Sequence, residues 1–264
     1  MTRFAKAHAC GNDFLIVEGE CDPELAVRLC ARNTGVGADG VEFLEWTGER
    51  EGRIRLANAD GSIAEISGNG TRCVAAWMAH QKQLEPGQTV RLETDAGVRG
   101  CELVRVDGHR FEFAAGMGVP KIRSKQVRLS DGTQVDGIEV STGNPHFVIF
   151  VEDDSFEKHG RKWQVLGYEL CAHKDFPEQT NVEFVRVVDA NKIEIRIFER
   201  GVGPTTSSGT GTCATAAATI SQRGGSPRLL VRAPGGEQQV EWDGPGSEMI
   251  LTGPAELIAT GEAW

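Results

Sequence analysis

Two short segments hold most of the residues able to do chemistry. Ser67-Gly68-Asn69-Gly70-Thr71-Arg72-Cys73 and Ser207-Ser208-Gly209-Thr210-Gly211-Thr212-Cys213 share a Ser-Gly-x-Gly-Thr core, with Ser67 and Ser208 standing 141 positions apart. Glycines at alternate positions let backbone N–H groups converge on one point without obstruction by a Cβ. A helix beginning at such a turn adds unpaired amide donors and the positive end of its dipole. The combination suits a carboxylate, or the enolate-like oxygen that develops on one when the neighbouring carbon loses a proton. It would also acidify a thiol at its mouth. Both copies carry serine there. A hydroxyl is a far weaker acid than a thiol of pKa about 8.5, and a dipole worth about 1 kcal/mol does not close that gap. Serine before a helix also has a plainer use, as an N-cap that accepts a bond from a first-turn amide.

The elements that must position these turns follow from the same offset. Val41-Glu42-Phe43 matches Val182-Glu183-Phe184, Ile54-Arg55-Leu56 matches Ile195-Arg196-Ile197, and Asn58 matches Glu199. Gly11-Asn12-Asp13-Phe14 and Gly143-Asn144-Pro145-His146-Phe147 keep the order without the spacing. The chain is one unit written twice. Its 264 residues are enough for two domains, each with its own core. The expected division is residues 1–117 and 118–251, with a hinge at Gly116–Pro120 and a tail of about 252–264 packing back on the first domain. Alternating apolar runs such as RLANADGSIAEI, RFEFAAG, FVIFVED and KIEIRIFER read as strands with one wet face. A helix is expected over Pro23–Asn33, with proline in its first turn, and another within Asp154–His173. The clearest helices follow the two turns, TRCVAAWMAHQKQ and TCATAAATISQRG. Being Ala-rich and poor in charge, they should be buried on all sides. Each half is therefore a β-rich shell around a central helix whose N-terminus is the Ser-Gly-x-Gly-Thr turn, an α+β fold. The two turns are expected to face each other across a ligand cleft between the domains.

The formal net charge of −10 argues against nucleic acid or an anionic membrane surface as partner. The first residues, MTRFAKAHAC, contain no apolar signal run, and no stretch reaches the length of a membrane span. Seven irregularly spaced cysteines fit a reducing cytoplasm better than a disulfide scaffold. Metal-site spacings such as CxxC and HExxH are missing. The turns lack the Lys-Ser/Thr ending of a phosphate loop and the spacing of a dinucleotide fingerprint. Cys73 and Cys213, inside the helices, read as packed small hydrophobes. His8, His80 and His173 carry no pattern. His146 stands in a repeated block, as a structural or an orienting residue. Glu199-Arg200 ends an apolar strand just before the second turn, as a surface pair or as ligand contacts.

These blocks, AHACGNDF, GVGADGV, NADGSIAEISGNGTRC, GNPHF, TNVEFV and ERGVGPTTSSGTGTCA, resemble diaminopimelate epimerase over nearly the whole length and in the family's order. The resemblance implies two similar domains, each a β-barrel-like sheet wrapped around a central helix. It also implies a small diamino diacid as substrate, interconverted between LL- and meso-diaminopimelate in lysine and peptidoglycan-precursor synthesis. One thiolate removes the α-proton and a second thiol delivers one, with no cofactor. Carried across, Gly68, Asn69, Gly209 and Thr210 hold the α-carboxylate. Asn12, Asn58, Asn144, Asn181, Glu199 and Arg200 orient the amines and distal end, and His146 orients the site. Arg200 suits a second carboxylate, clamped bidentately, and Glu199 an ammonium. A homodimer is compatible with the resemblance, which implies neither nucleic acid nor membrane as partner.

The departure lies at the centre, where the two catalytic cysteines fall on Ser67 and Ser208, and Pro204 replaces the family's usual glutamate. Four explanations stand side by side: a naturally divergent member, a double Cys→Ser variant that traps ligand, a non-catalytic amino-acid binding protein, and a related proton-transfer isomerase. The last would use a carboxylate or histidine base, with Asp60, Glu65 and His146 as candidates.

Overall fold

The computed structural model of the protein describes residues 1–64 and 66–264. The chain divides into two compact units, Met1–Ala115 with Thr252–Trp264, and Gly116–Leu251. The first contains β1 (Thr2–Ala9), β2 (Asn12–Glu18), α1 (Pro23–Cys30), β3 (Gly40–Trp46), β4 (Glu51–Asn58), β5 (Ile63–Ala64), α2 (Gly68–Lys82), β6 (Thr89–Thr94), β7 (Gly97–Asp107) and β8 (Arg110–Gly116). The second contains β9 (Lys121–Arg128), β10 (Gln134–Ser141), β11 (Pro145–Val151), α3 (Trp163–Cys171), β12 (Asn181–Asp189), β13 (Lys192–Glu199), β14 (Gly203–Thr205), α4 (Gly209–Arg223), β15 (Arg228–Ala233) and β16 (Gly236–Glu241). The last strand, β17 (Ile250–Ala263), begins in the second unit and finishes in the first.

In the first unit the ladder β1-β2-β3-β4-β6-β7-β8 is closed by β17, which pairs with both β8 and β1. Closure leaves the eight strands of this barrel without an open edge. The inside is filled by α2. Its Val74, Ala75, Ala76, Met78 and Ala79 are buried against Ile54, Leu56, Val90, Leu92, Leu103 and Phe113. Alanines along the helix let the strands approach it on every side, which is why the sequence there has no polar face. Outside, α1 starts at Asp22, whose side chain accepts the Leu25 N–H at 3.0 Å. It packs Ala26 and Leu29 on Leu15, Val17, Val41 and Phe43.

The second unit repeats the plan. Its ladder runs β9-β10-β11-β12-β13-β15-β16, with Cys213, Ala214, Ala216, Ala217 and Ala218 of α4 buried inside. Helix α3 covers Phe147, Val182 and Phe184 outside. The registers carry the duplication into three dimensions: Glu42 pairs with Leu56, and Glu183 with Ile197.

Two elements differ from the sequence expectation. RLANADGSIAEI is two strands, β4 and β5, because the chain reverses at Asp60-Gly61, where Gly61 has φ +84°. Helix α1 ends at Cys30 rather than Asn33. Its last carbonyls instead receive the returning loop, with Val36 and Gly37 donating to the Leu29 carbonyl at 2.9 Å each.

Candidate active site

Ser67 and Ser208 both sit in extended backbone just before a buried helix. Ser67 Oγ accepts the Gly70 N–H at 3.1 Å and its carbonyl accepts Thr71 N–H at 2.8 Å. Ser208 repeats this with Gly211 at 3.2 Å and Thr212 at 2.9 Å. Both serines are N-caps, which fixes where each helix begins. A hydroxyl that accepts an N–H keeps its own proton to give. The first turns read Gly-Asn-Gly-Thr and Gly-Thr-Gly-Thr. They are uncharged, so no acidic side chain of the turn competes for the positive dipole end, while the Gly70, Thr71, Gly211 and Thr212 amides are held by the capping serines.

A carboxyl lies beneath each turn. Strand β3 alternates, with Val41 and Phe43 outward under α1 and Glu42 and Leu44 inward toward α2. Glu42 is 1% exposed, and its Oε1 finds no hydrogen-bond partner among the described residues. That oxygen occupies the space a Cβ on Gly70 would take, with the Glu42 Cδ 2.9 Å and Cγ 3.2 Å from the same point. Burial alone pushes the Glu42 carboxyl up to about 8, because the charged form loses its water. Strand β12 alternates in the same way, and Glu183 is fully buried. A Cβ on Gly211 would stand 2.9 Å from Glu183 Oε1 and 3.2 Å from Ser208 Oγ.

Glu183 differs in having a partner. His146 is fully buried; its Nδ1 lies 2.7 Å from Glu183 Oε1 and its Nε2 2.9 Å from Asn144 Oδ1. The Asn144 amide nitrogen reaches Thr210 Oγ1 at 3.3 Å, which turns its oxygen toward the imidazole. With the Asn144 oxygen facing it, His146 Nε2 is the donor in that contact, and Nδ1 stands against the Glu183 carboxyl. Glu183 Oε2 has no partner among the described residues. The nearby Glu199 is raised from the ordinary glutamate range, first by burial and then by the Glu183 charge, against the pull of His146.

The other residues singled out in the sequence make the following contacts. Asn69 takes an N–H from Arg72 at 2.6 Å and approaches Asn12 Oδ1 at 3.3 Å, while Asn12 also donates to Asp39 at 2.6 Å. Asn58 donates to Ser62 Oγ at 2.9 Å. Asn181 is buried, donating to the Pro145 carbonyl at 3.2 Å and accepting the Arg200 N–H at 2.9 Å. The Arg200 guanidinium is on the surface and donates to the Glu178 carbonyl at 2.8 Å. Asp60 is an exposed turn residue. Its Oδ1 accepts from the Ser62 amide at 2.9 Å and hydroxyl at 2.6 Å, which holds it below the ordinary aspartate range. An ionised, exposed carboxylate of this kind makes a poor general acid. Glu65 lies outside the described residues. Cys73 is fully buried, and burial pushes its thiol well above the ordinary cysteine range, away from nucleophilic use.

Sequence reasoning passed over Glu42, Glu183 and the buried Arg72. The signal for the two glutamates was present: the 141-residue offset aligns them in a Val-Glu-Phe block on strands otherwise apolar.

The family model described as diaminopimelate epimerase matches residues 4–122 and 138–258. Among curated relatives, a diaminopimelate epimerase from Thermosynechococcus vestitus is 37% identical, covering 98% of each chain. One from Pseudomonas fluorescens is 36% identical, covering 99% of each. Among solved structures, a predicted epimerase from Pseudomonas aeruginosa superposes with a TM-score of 0.74 at 15% identity, covering 100% of this chain and 99% of that one. A hydroxyproline epimerase from Agrobacterium vitis, with trans-4-hydroxy-L-proline bound, gives a TM-score of 0.68 at 16% identity, covering 99% and 90%. At such identity these two likenesses establish the fold.

Proposed function

The chain belongs to the diaminopimelate epimerase family, and from that premise we propose that its two capped turns bind a diamino diacid and support proton transfer at its α-carbon. The observation that carries this reading is the pair of uncharged helix N-termini, each preceded by a serine whose substitution for cysteine leaves the backbone amides untouched. Gly68, Asn69, Gly209 and Thr210 supply carboxylate donors. Asn12, Asn58 and Asn144 line the polar surround. Glu199 takes an ammonium and Arg200 a second carboxylate, and Asn181 contributes by holding the Arg200 backbone. The isomer pair is LL- and meso-diaminopimelate, and the setting is the cytoplasmic synthesis of lysine and peptidoglycan precursors. Cys21, Cys30, Cys73, Cys101 and Cys171 standing as unbridged thiols fits that setting.

The proton transfer is the step that serine alters. A thiolate at a helix N-terminus is an effective base near neutral pH, whereas a hydroxyl stays protonated. The chain should therefore bind substrate and exchange its α-proton slowly. Solvent deuterium incorporation into LL-diaminopimelate tests this, with calorimetry of both isomers alongside. Ser67→Cys with Ser208→Cys should raise exchange by several orders of magnitude. An unaltered chain turning over at roughly 10 s⁻¹ would show that serine is no impediment. Failure to bind either isomer would remove the substrate assignment.

A further inference from the structure

Under the epimerase reading just given, we propose that Arg72 is the counter-charge of the carboxylate site at the N-terminal turn, a positioning residue that turns the Asn69 amide and sets an unneutralised cation behind the Gly68 and Asn69 donors. A helical side chain leans back toward its own N-terminus. Arg72 follows Gly68 and Asn69 by one turn of α2, so its guanidinium lies over the start of the helix. Its Nη2 donates to Asn69 Oδ1 at 2.6 Å and its Nε to the Pro254 carbonyl at 3.4 Å. Its Nη1 lies 4.0 Å from where a Cβ on Gly68 would stand. The residue as a whole is 3% exposed. These bonds fix two amides. A guanidinium only donates, so the Asn69 atom facing Arg72 is the oxygen. The Asn69 nitrogen then faces Asn12 Oδ1 at 3.3 Å, and the Asn12 nitrogen donates to Asp39 Oδ2 at 2.6 Å. Donors point one way along the chain, from a buried cation to a carboxylate at the surface, and neither asparagine can flip without breaking it.

The charge itself has no internal partner. Both acceptors of the guanidinium are neutral oxygens, and Arg72 forms no ion pair among the described residues. Glu42, inward beneath the same turn, is pushed up to about 8 by burial and so carries no charge at neutral pH. A buried cation is ordinarily paired, because only an opposite charge offsets its lost hydration. A carboxylate arriving at the first turn of α2 supplies that opposite charge, and it gains an attraction beyond the amides and the dipole. The C-terminal turn has no such device. The 141-residue offset sets Thr210 at the place of Asn69 and Cys213 at the place of Arg72. The two turns therefore differ in strength as anion sites, and the N-terminal one is the stronger.

The test is calorimetry of the full chain with meso-diaminopimelate, beside urea unfolding. Arg72→Met keeps most of the side chain's length and removes the charge, and it should weaken binding roughly a hundredfold. Arg72→Lys keeps the charge and should bind within about fivefold of the unaltered chain. Arg72→Met should also unfold at the same or higher urea, because an apolar side chain in place of a buried unpaired charge removes its desolvation cost. A merely structural arginine would not give weaker binding with stability retained. Unchanged affinity in Arg72→Met overturns the proposal, and so does Arg72→Lys that folds and binds more than fivefold weaker. The lysine variant decides alone if the methionine variant does not fold. If the unaltered chain binds neither isomer of the diamino diacid, the substrate reading fails instead, and acetate becomes the carboxylate probe. Saturable shifts of the Gly68 and Asn69 amide resonances in the unaltered chain, lost in Arg72→Met, then support the counter-charge; an equal response in both, or none in the unaltered chain, overturns it.

Discussion

The two turns are built alike, but the carboxyls beneath them are partnered differently. In the C-terminal unit the inward glutamate of β12 meets an imidazole; in the N-terminal unit the inward glutamate of β3 meets none. The sheet register explains the contrast. His146 pairs with Asn181, two positions before Glu183, and Phe14 pairs with Gly40, two positions before Glu42. Phe14 is thus the structural counterpart of His146, and it is 3% exposed within the barrel core. Where one unit places a proton acceptor beside its carboxyl, the other places a phenyl ring. Both units keep the inward carboxyl and the serine cap, and only the C-terminal one sets an imidazole beside its carboxyl.

The largest effect that would break or sharpen this comparison comes from single cysteine replacements. Ser67→Cys or Ser208→Cys alone should raise α-exchange by about a thousandfold, through one acidified thiol. Inversion should lag far behind exchange in each case, because only one proton transfer has gained a good acid or base. Incorporation of deuterium into recovered LL and newly formed meso product separates the two. Equal gains in exchange and inversion from one replacement would show that the turns do not divide the reaction.

Packing provides the next contrast. Gly70→Ala drives a Cβ into the Glu42 carboxyl and near its Cγ and Cδ, so the whole buried head group must move. We expect a loss of about 2 kcal/mol, within the range for overpacked cores. Gly211→Ala meets only Glu183 Oε1 at 2.9 Å and the Ser208 side chain at 3.2 Å. Its strain is offset by the roughly 1 kcal/mol helix preference of alanine over glycine, leaving the change near neutral. Urea denaturation of both variants measures the difference, and equal stabilities would mean that Glu42 is not wedged under its turn.

How much of this was legible in the sequence depended on what each signal encodes. The turns at Ser67 and Ser208, the buried alanine-rich helices and the repeat were all readable, because glycine spacing, composition and offset are local or arithmetic. Glu42 and Glu183 were not singled out, because a polar residue alternating with apolar ones reads as the wet face of a half-buried strand. That inference assumes one solvated face. In this barrel β3 is covered outside by α1 and filled inside by α2, so the alternating glutamate points into the interior. The partner relation of His146 to Glu183, 37 positions away, depends on the parallel pairing of β11 with β12, which no local pattern states. Asp60 was singled out on the opposite ground. It stands beside Asn58 in a repeated block and looked like a base, but it closes a turn through Ser62.

Stability as a function of pH reports on the N-terminal carboxyl without any substrate. Glu42 in the folded protein is raised to about 8, against about 4.3 in an unfolded chain. Below the unfolded value both states are protonated. Between the two values the unfolded chain has released the proton that the folded one keeps, so stability falls as pH rises and the contribution is lost through pH 8. Glu42→Gln removes this slope. The variant should match its parent near pH 4 and exceed it at pH 8 by a few kcal/mol in urea unfolding. Parallel pH profiles for the two proteins would mean that Glu42 ionises normally, and the contrast with Glu183 would lose its basis.

The smallest effect is expected at Asp60, and its smallness is informative. Its carboxylate is exposed and holds the Ser62 amide and hydroxyl, while Asn58 holds the same hydroxyl from the other side at 2.9 Å. Hydrogen bonds from Ser62 keep Asp60 below the ordinary aspartate range, so it is ionised throughout neutral pH and has no proton to deliver. Asparagine can still accept the Ser62 N–H through its amide oxygen, so Asp60→Asn should keep the turn, the melting temperature and the rate of α-deuterium exchange. A tenfold loss of exchange in Asp60→Asn would make this surface carboxylate a proton carrier at the N-terminal turn. The N-terminal unit would then work through a solvent-exposed carboxylate, and the matched burial of Glu42 and Glu183 would be a correspondence of ancestry alone.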